Sequence, residues 1–461
     1  MTKSSVNMLS GSILKGLLTI SVPIMVMNVL QSMFNIIDMT VLKMYDAAGD
    51  GLAVGSVGTC GTLISLITGL VIGIAAGANV VTARYIGKKD KEGVERAVGV
   101  GILFALCSGI AISIIGIALA DVFLAIVNCP DRLMEQATLY FRLYFAGVPI
   151  SMVYNFCASL LRSTGDSRRP MIYLTIGGVL KVTFNFIFVA AFHMSVVGVA
   201  LSTIISWSFC AFMGIRALLK GTGMVVLKPS RLRFYKRDLI DILRIGVPSG
   251  LQQALYSIAN VIITATVNGY GPQATTGISI ANNFDGILYQ ISTAPALAVM
   301  PYVSQNLGAN NMKRAKQAVW KGMFITVALG ATFGSLSAIF SEQLASIMAT
   351  DPVIITYAQQ KMIIISSTYF ICGINEIMGA ALKGMGKPMV PAVSTLVFMC
   401  LIRFVWVYGA FPLWQAYGID SFDLTFLYLI WPIGWTLSIL TLICFYIPTV
   451  KKLQRSCSIE E

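Results

Sequence analysis

Of the 461 residues, 56% are hydrophobic and only 11% are charged, and the formal net charge is +13. Soluble domains carry roughly 25% charged residues, so this balance, with a mean hydropathy of +0.79, excludes an ordinary soluble domain and points to a polytopic membrane protein. The nine cysteines show no C-x-x-C or regular spacing, the single His193 cannot build a metal cluster alone, and no G-x-x-x-x-G-K-[ST] loop is present to bind ATP.

Stretches of about 20 apolar residues predict spans over 16–43, 52–83, 95–119, 134–161, 168–192, 196–219, 240–268, 274–305, 317–340, 354–382, 389–412 and 424–449. The first run exceeds the apolar core of a signal peptide, about 7 to 15 residues, and lacks a small-residue cleavage site, so it is expected to stay and span. Alternate connections are basic: Arg84, Lys88, Lys89, Lys91 and Arg96 follow span 2, Arg162, Arg168 and Arg169 follow span 4, and Lys220, Lys228, Arg231 and Arg233 follow span 6. Lys313, Arg314 and Lys316 follow span 8, Lys383 and Lys387 follow span 10, and Lys451, Lys452 and Arg455 follow span 12. The opposite connections hold Asp46, Asp50, Asp121, Asp131, Glu342, Asp351, Asp420 and Asp423. By the positive-inside rule both termini are expected in the cytoplasm, with the chain in the cell's inner membrane. The basic excess is then mostly topology, and no nucleic-acid partner is expected.

The chain also repeats itself. LTISVPIMVMNVLQSMFNII at 18–37 aligns with LRIGVPSGLQQALYSIANVI at 243–262, sharing among others Pro23 with Pro248 and Asn35 with Asn260. YIGKKDKEGVERAV aligns with NLGANNMKRAKQAV, and LRSTGDSRRP with LKGMGKPMVP, in the same order and at nearly the same offset. Each copy holds six spans, an even number, so both enter the membrane from the same side, as parallel repeats do. The expected fold class is therefore an all-α polytopic membrane protein of twelve helices, in two six-helix lobes related by a pseudo-two-fold axis along the membrane normal. The lobes are placed at 1–220 and 239–461, joined by a polar, basic linker at 221–238. Two facing bundles suit alternating access by rigid-body rocking. Pro23, Pro149, Pro248 and Pro295 are candidate kinks.

VPIMVMNVLQSMFNIID at 22–38, AAGANVVTARYIGKKDKEG at 75–93, LRSTGDSRRPM at 161–171, SQNLGANN at 304–311 and LKGMGKP at 382–388 stand in order along this duplicated frame. With them the chain resembles the multidrug and toxic compound extrusion (MATE) family over nearly its whole length, and its DinF-like branch through GISIANNFDGILYQ at 277–290 followed by SQNLGA. The resemblance implies a V-shaped pair of lobes. It also implies an antiporter that expels hydrophobic, often cationic small molecules in exchange for protons or sodium ions, with no cofactor.

Asp38 ends an otherwise uncharged run. An acid in hydrocarbon costs about 2.5 to 3.5 kcal/mol on insertion scales, so it needs a compensating environment or a function. Asp38 falls where the DinF-like branch keeps a coupling carboxylate, and the helix-5 positions that the family gives to Asn and Asp are here Lys181 and Asn185. Lys181 either pairs with Asp38, which disfavours sodium, or is itself the titrating group. Asn35 joins Asp38, Lys181 and Asn185 in the expected coupling site. The expected substrate-binding residues are Gln31, Met33, Phe34, Asn282, Asp285, Gln290 and Arg403. Asp285 either receives a substrate's positive charge or pairs with Arg403, which is the repeat position of Lys181. Glu376 is expected to form an interfacial ion pair with Lys383. The acids that another branch keeps on helices 7 and 10 are replaced by Tyr256 and Cys372. The 22 Met, 24 Phe and 17 Tyr could furnish a deformable apolar pocket.

The leading expectation is a proton-coupled exporter, acting as a monomer in the lipid bilayer. Its alternative is a flippase or exporter of an anionic or lipid-linked metabolite that uses the basic residues. A membrane enzyme is not expected, because no H-E-x-x-H or G-x-S-x-G motif supplies its chemistry.

Overall fold

In hydrocarbon a spanning segment must satisfy its own backbone hydrogen bonds, which leaves a chain of long apolar runs little choice but helix. The computed structural model describes residues 6–45, 52–127, 129–221, 223–416 and 424–459, and among them it is helical with no β-sheet. Asp46, Asp50, Asp420 and Asp423, assigned above to the acidic connections, lie outside the described residues.

The helices of the first half are α1 (Ile13–Met44), α2 (Leu52–Gly87), α3 (Lys91–Ala118), the short α4 (Ala120–Ile126), α5 (Asp131–Ser163), α6 (Arg168–Asn185) and α7 (Ser195–Lys220). α6 runs on into a π-helical stretch, Phe186–Ala191. Those of the second half are α8 (Lys236–Asn268), α9 (Pro272–Gly308), α10 (Met312–Ile339), the short α11 (Ser341–Ser346), α12 (Pro352–Ser367), α13 (Tyr369–Gly384) and α14 (Met389–Thr395). After α14 come α15 (Ile402–Val405), α16 (Phe411–Ala416), α17 (Thr425–Tyr428) and α18 (Ile430–Ile459). Two π-helical stretches, Leu396–Leu401 and Trp406–Ala410, flank α15.

Among the described residues nine helices are long and apolar enough to cross a membrane, and α12 with α13, bent by 48° at their break, makes a tenth. The remaining two predicted spans are α8 and α9, of 33 and 37 residues. Their length suffices, but α8 carries Gln252 and Gln253 and α9 carries Asn282, Asn283, Asp285 and Gln290. Helices occupy all twelve predicted positions.

The duplication is visible in the backbone. Asp90 caps α3 by accepting from the Gly93 N–H at 2.8 Å, and Asn311 caps α10 by accepting from the Arg314 N–H at 3.0 Å. Lys89 and Asn310, the residues just before these caps, both adopt left-handed φ, 57° and 55°. A methyl at Gly109 on α3 would meet the Pro149 backbone at 2.7 Å, and one at Gly330 on α10 would meet the Phe370 backbone at 2.8 Å. Small residues let each pair of backbones close in the same way.

The chain forms two compact units, Met1–Asn7 with Val26–Val247 and Met8–Met25 with Pro248–Glu461. α1 and α8 therefore each change unit close to their internal prolines, Pro23 and Pro248. In the first unit α5 is central, packing on α2, α3 and α7. Its polar segment 221–238 is strapped to α3, with Lys228 paired to Glu95 at 2.8 Å, Arg231 to Glu92 at 3.2 Å and Asp238 to Arg96 at 3.3 Å. In the second unit α9 packs on α10, α12 and α13. Tyr369, Met399, Phe411, Tyr428, Trp431 and Trp435 belong to its main apolar core.

Candidate functional site

In the first unit the site begins with how closely α1 and α6 approach. Gly177 and Gly178 give α6 two bare faces. A methyl at Gly178 would lie 1.7 Å from the Phe34 ring of α1, and one at Gly177 would lie 2.5 Å from the Cys210 sulfur of α7. Phe34 and Asp38 are four residues apart, hence on one face of α1. That face meets Lys181 and Asn185, also four apart on α6.

Asp38 is 6% exposed and is held from both sides. Lys181 Nζ lies 2.5 Å from Asp38 Oδ2, and Asn185 Nδ2 donates to Asp38 Oδ1 at 2.9 Å. The Lys181 and Asp38 side chains are only 12% and 9% exposed, and Asn185 is fully buried. Taking two charges out of water is costly unless each is matched and hydrogen-bonded, and here one helix supplies both the cation and the amide donor. Asn185 is the last α-helical residue before the π-helical stretch, a widening of the helix that often marks functional sites. The aromatic side chains of Tyr144 and Trp207 meet edge to face in the same unit, and Tyr144 shares a 3.5 Å hydrogen bond with Thr68.

The other residues named for the first half are placed differently. Asn35 and Gln31 are exposed, and Asp38 takes its hydrogen bonds from α6 rather than from Asn35. Met33 is 48% exposed, and Phe34 is half-buried against Gly178.

In the second unit Arg403 does not pair with Asp285. Asp285 Oδ2 is 2.9 Å from Lys361 Nζ, and Lys361 also donates to Asn282 Oδ1. Lys361 sits on α12 at 3% exposure; it is absent from the expected site residues, although a lysine inside the apolar run of span 10 is itself a signal. Arg403, 1% exposed, donates from Nη1 to Asn260 Oδ1 at 2.8 Å, and its guanidinium lies 4.6 Å from the centre of the Trp431 ring. Lys361 Nζ is 5.8 Å from the centre of the same ring, so one indole serves two cations. Among the described residues Arg403 has no carboxylate partner, and Asp285 Oδ1 and Tyr428 Oη have no hydrogen-bond partner. Gln290 is half-buried and makes no bond to this group.

Glu376 and Lys383 interact electrostatically, but among the described residues they make no direct ion-pair contact, and Glu376 Oε1 is buried without a hydrogen-bond partner. Its neighbour Asn375 ties the region together instead, donating to Tyr256 Oη at 3.1 Å and accepting from Ser438 Oγ at 2.7 Å.

The comparisons with known proteins bear on these two arrangements. The sequence profile of the MatE family matches twice, over residues 23–187 and 248–408, once in each half. The probable multidrug resistance protein YoeA of Bacillus subtilis is 24% identical over 383 residues, 81% of this chain and 82% of that protein. The FAD transporter of Shewanella oneidensis is 22% identical over 341 residues, 73% of this chain and 75% of that protein. A crystal structure of MATE in the straight conformation superposes with a TM-score of 0.89 at 21% identity, covering 99% of this chain and 100% of that one.

Proposed function

The chain belongs to the MatE family of membrane transporters, and from that premise we propose that it is a secondary active antiporter. It exports hydrophobic or cationic small molecules by alternating access, in exchange for protons in preference to sodium ions, with Asp38 as the coupling group. It acts as a monomer in the inner membrane with both termini in the cytoplasm. The relation to YoeA, named a probable multidrug resistance protein, supports the substrate class.

The observation that carries this reading is the buried acid gripped by two residues of one helix. With Asp38 ionised and Lys181 charged, the group is neutral overall. A proton taken up by the carboxylate leaves Lys181 as an unmatched cation in a poorly solvated place. The net charge rises from zero to plus one, which repels a cationic substrate in the same unit and removes the tie between α1 and α6. A sodium ion entering the same carboxylate would first have to displace an ammonium at 2.5 Å. Each elementary charge crossing the membrane supplies about 2.3 kcal/mol per 100 mV, roughly a 50-fold gradient at about 1.36 kcal/mol per decade.

The test is uptake of a fluorescent cation into liposomes containing the pure protein under an imposed pH gradient. Asp38→Asn is expected to abolish gradient-driven uptake, and wild type is expected to work without sodium. Equal rates in wild type and Asp38→Asn, or strict sodium dependence, would overturn the assignment.

A second reading rests on Arg403, a buried cation that has no carboxylate partner among the described residues. It would suit the anionic group of an exported or flipped metabolite, and the relation to a protein named FAD transporter supports that class. If it holds, Arg403→Gln abolishes export of an organic anion and leaves pH-gradient-driven movement of the fluorescent cation unchanged.

A further inference from the structure

Away from both charged groups, the first unit contains a crevice of about 400 Å³ where the start of α6 meets the end of α7, lined by Arg169, Tyr173, Met213, Arg216 and Lys220. Arg216 and Lys220 are exposed and four residues apart on one face of α7, a spacing at which like charges repel. Neither has an ion-pair partner among the described residues. Arg169 enters from α6, steadied by Asp166 at 3.2 Å, so three cations face one carboxylate. Stabilisation of a helix C-terminus by nearby cations accounts for the two on α7. It does not account for a guanidinium and a phenol from another helix closing the opposite wall of a cavity. Towards the interior of the spans the surface turns apolar, with Ile172 and Ile176 on α6 and Phe212 on α7 all exposed. Phe212 is four residues before Arg216 and so lies on the same helix face.

We infer that this crevice binds the phosphate headgroup of an anionic phospholipid. Arg216 and Lys220 hold the phosphate by charge-assisted hydrogen bonds, Arg169 and the Tyr173 hydroxyl complete the wall, and the acyl chains run over Ile172, Ile176 and Phe212. Basic pockets between spanning helices take such headgroups because positive charge, apolar surface and the depth of the interface coincide there.

The test uses the delipidated full chain in neutral detergent, with binding followed by native mass spectrometry. The probes are phosphatidylglycerol, phosphatidylethanolamine and inorganic phosphate. Wild type should take phosphatidylglycerol in preference to phosphatidylethanolamine. The double variant Arg216→Gln/Lys220→Gln should bind phosphatidylglycerol about 30-fold more weakly, about fivefold for each charge lost near an anionic lipid. The matched surface variant Lys88→Gln/Lys89→Gln should bind as wild type does. Equal binding of phosphatidylglycerol to wild type and the Arg216/Lys220 variant would overturn the site. Inorganic phosphate binding as tightly as phosphatidylglycerol would overturn the lipid assignment in favour of a soluble anion.

Discussion

The two halves of this chain solve the same local problem in opposite ways. In the first, the basic residue of the fifth span, Lys181, meets an acid, Asp38, on the first span. In the second, Arg403 occupies the repeat position of Lys181 but meets the amide oxygen of Asn260 and the face of Trp431. The residue aligned with Asp38, at the offset of the first repeat, is Ile263, which is 1% exposed in the apolar core. An acid of the second half, Asp285, sits on α9 instead and is paired with Lys361 of α12. A duplicated scaffold has thus kept a buried cation in each copy and an ionisable partner for it in one. Both halves hold a buried acid–lysine pair, Asp38 with Lys181 and Asp285 with Lys361, and the second half adds a buried guanidinium, Arg403, that meets an amide and an indole.

The largest effect that would break this contrast is functional. If Lys361→Met abolished pH-gradient-driven uptake as completely as Asp38→Asn, the second half would be a coupling site too. The expected outcome is that its pH profile stays that of wild type. Next comes stability: Lys181→Ala leaves Asp38 with only Asn185, and losing one partner of a buried pair costs about 3 to 5 kcal/mol. Adding Asp38→Asn to Lys181→Ala should restore part of that loss, which unfolding in detergent would show as a coupling energy. A smaller effect is expected of Gly178→Ala, which drives a methyl into the Phe34 ring and should destabilise the first unit by about 1 to 3 kcal/mol as overpacking does. The smallest is Trp431→Phe, which keeps an aromatic ring in the core but offers Arg403 and Lys361 a weaker face, and should cost about 0.5 to 1 kcal/mol. Thermal unfolding of the purified variants ranks the last two, and a reversed order would mean that the indole, and not the helix contact, organises its site.

Much of this was legible beforehand for identifiable reasons. Asp38 is visible because ionisable residues are rare in hydrocarbon, and Lys181 and Asn185 because the resemblance to the family points to those two positions of the fifth span. The repeat was visible in shared turn chemistry, and the matching left-handed residues Lys89 and Asn310 show why those motifs keep their form. Lys361 lies within an apolar run like Asp38, but the repeat, which aligns Arg403 with Lys181, gives it no counterpart in the first half. Asn35, placed with Asp38 by its nearness along α1, and Gln31, placed among the substrate-binding residues, are both exposed, and neither bonds to Asp38.

Taken alone, the order of residues determined where the long helices lie, the alternation of basic and acidic connections, the duplication and the presence of ionisable residues within the spans, because hydrophobicity, charge and spacing act within one helix or its ends. Which cation meets which anion was decided only by tertiary structure. Asp285 lies 118 residues before Arg403 and 76 before Lys361 along the sequence (403 minus 285, 361 minus 285). The choice of Lys361 follows from the packing of α9 on α12. Partner choice between helices depends on rotation and depth of packing, and those are set by contacts such as Phe34 on Gly178, where the absence of a single methyl lets two backbones approach.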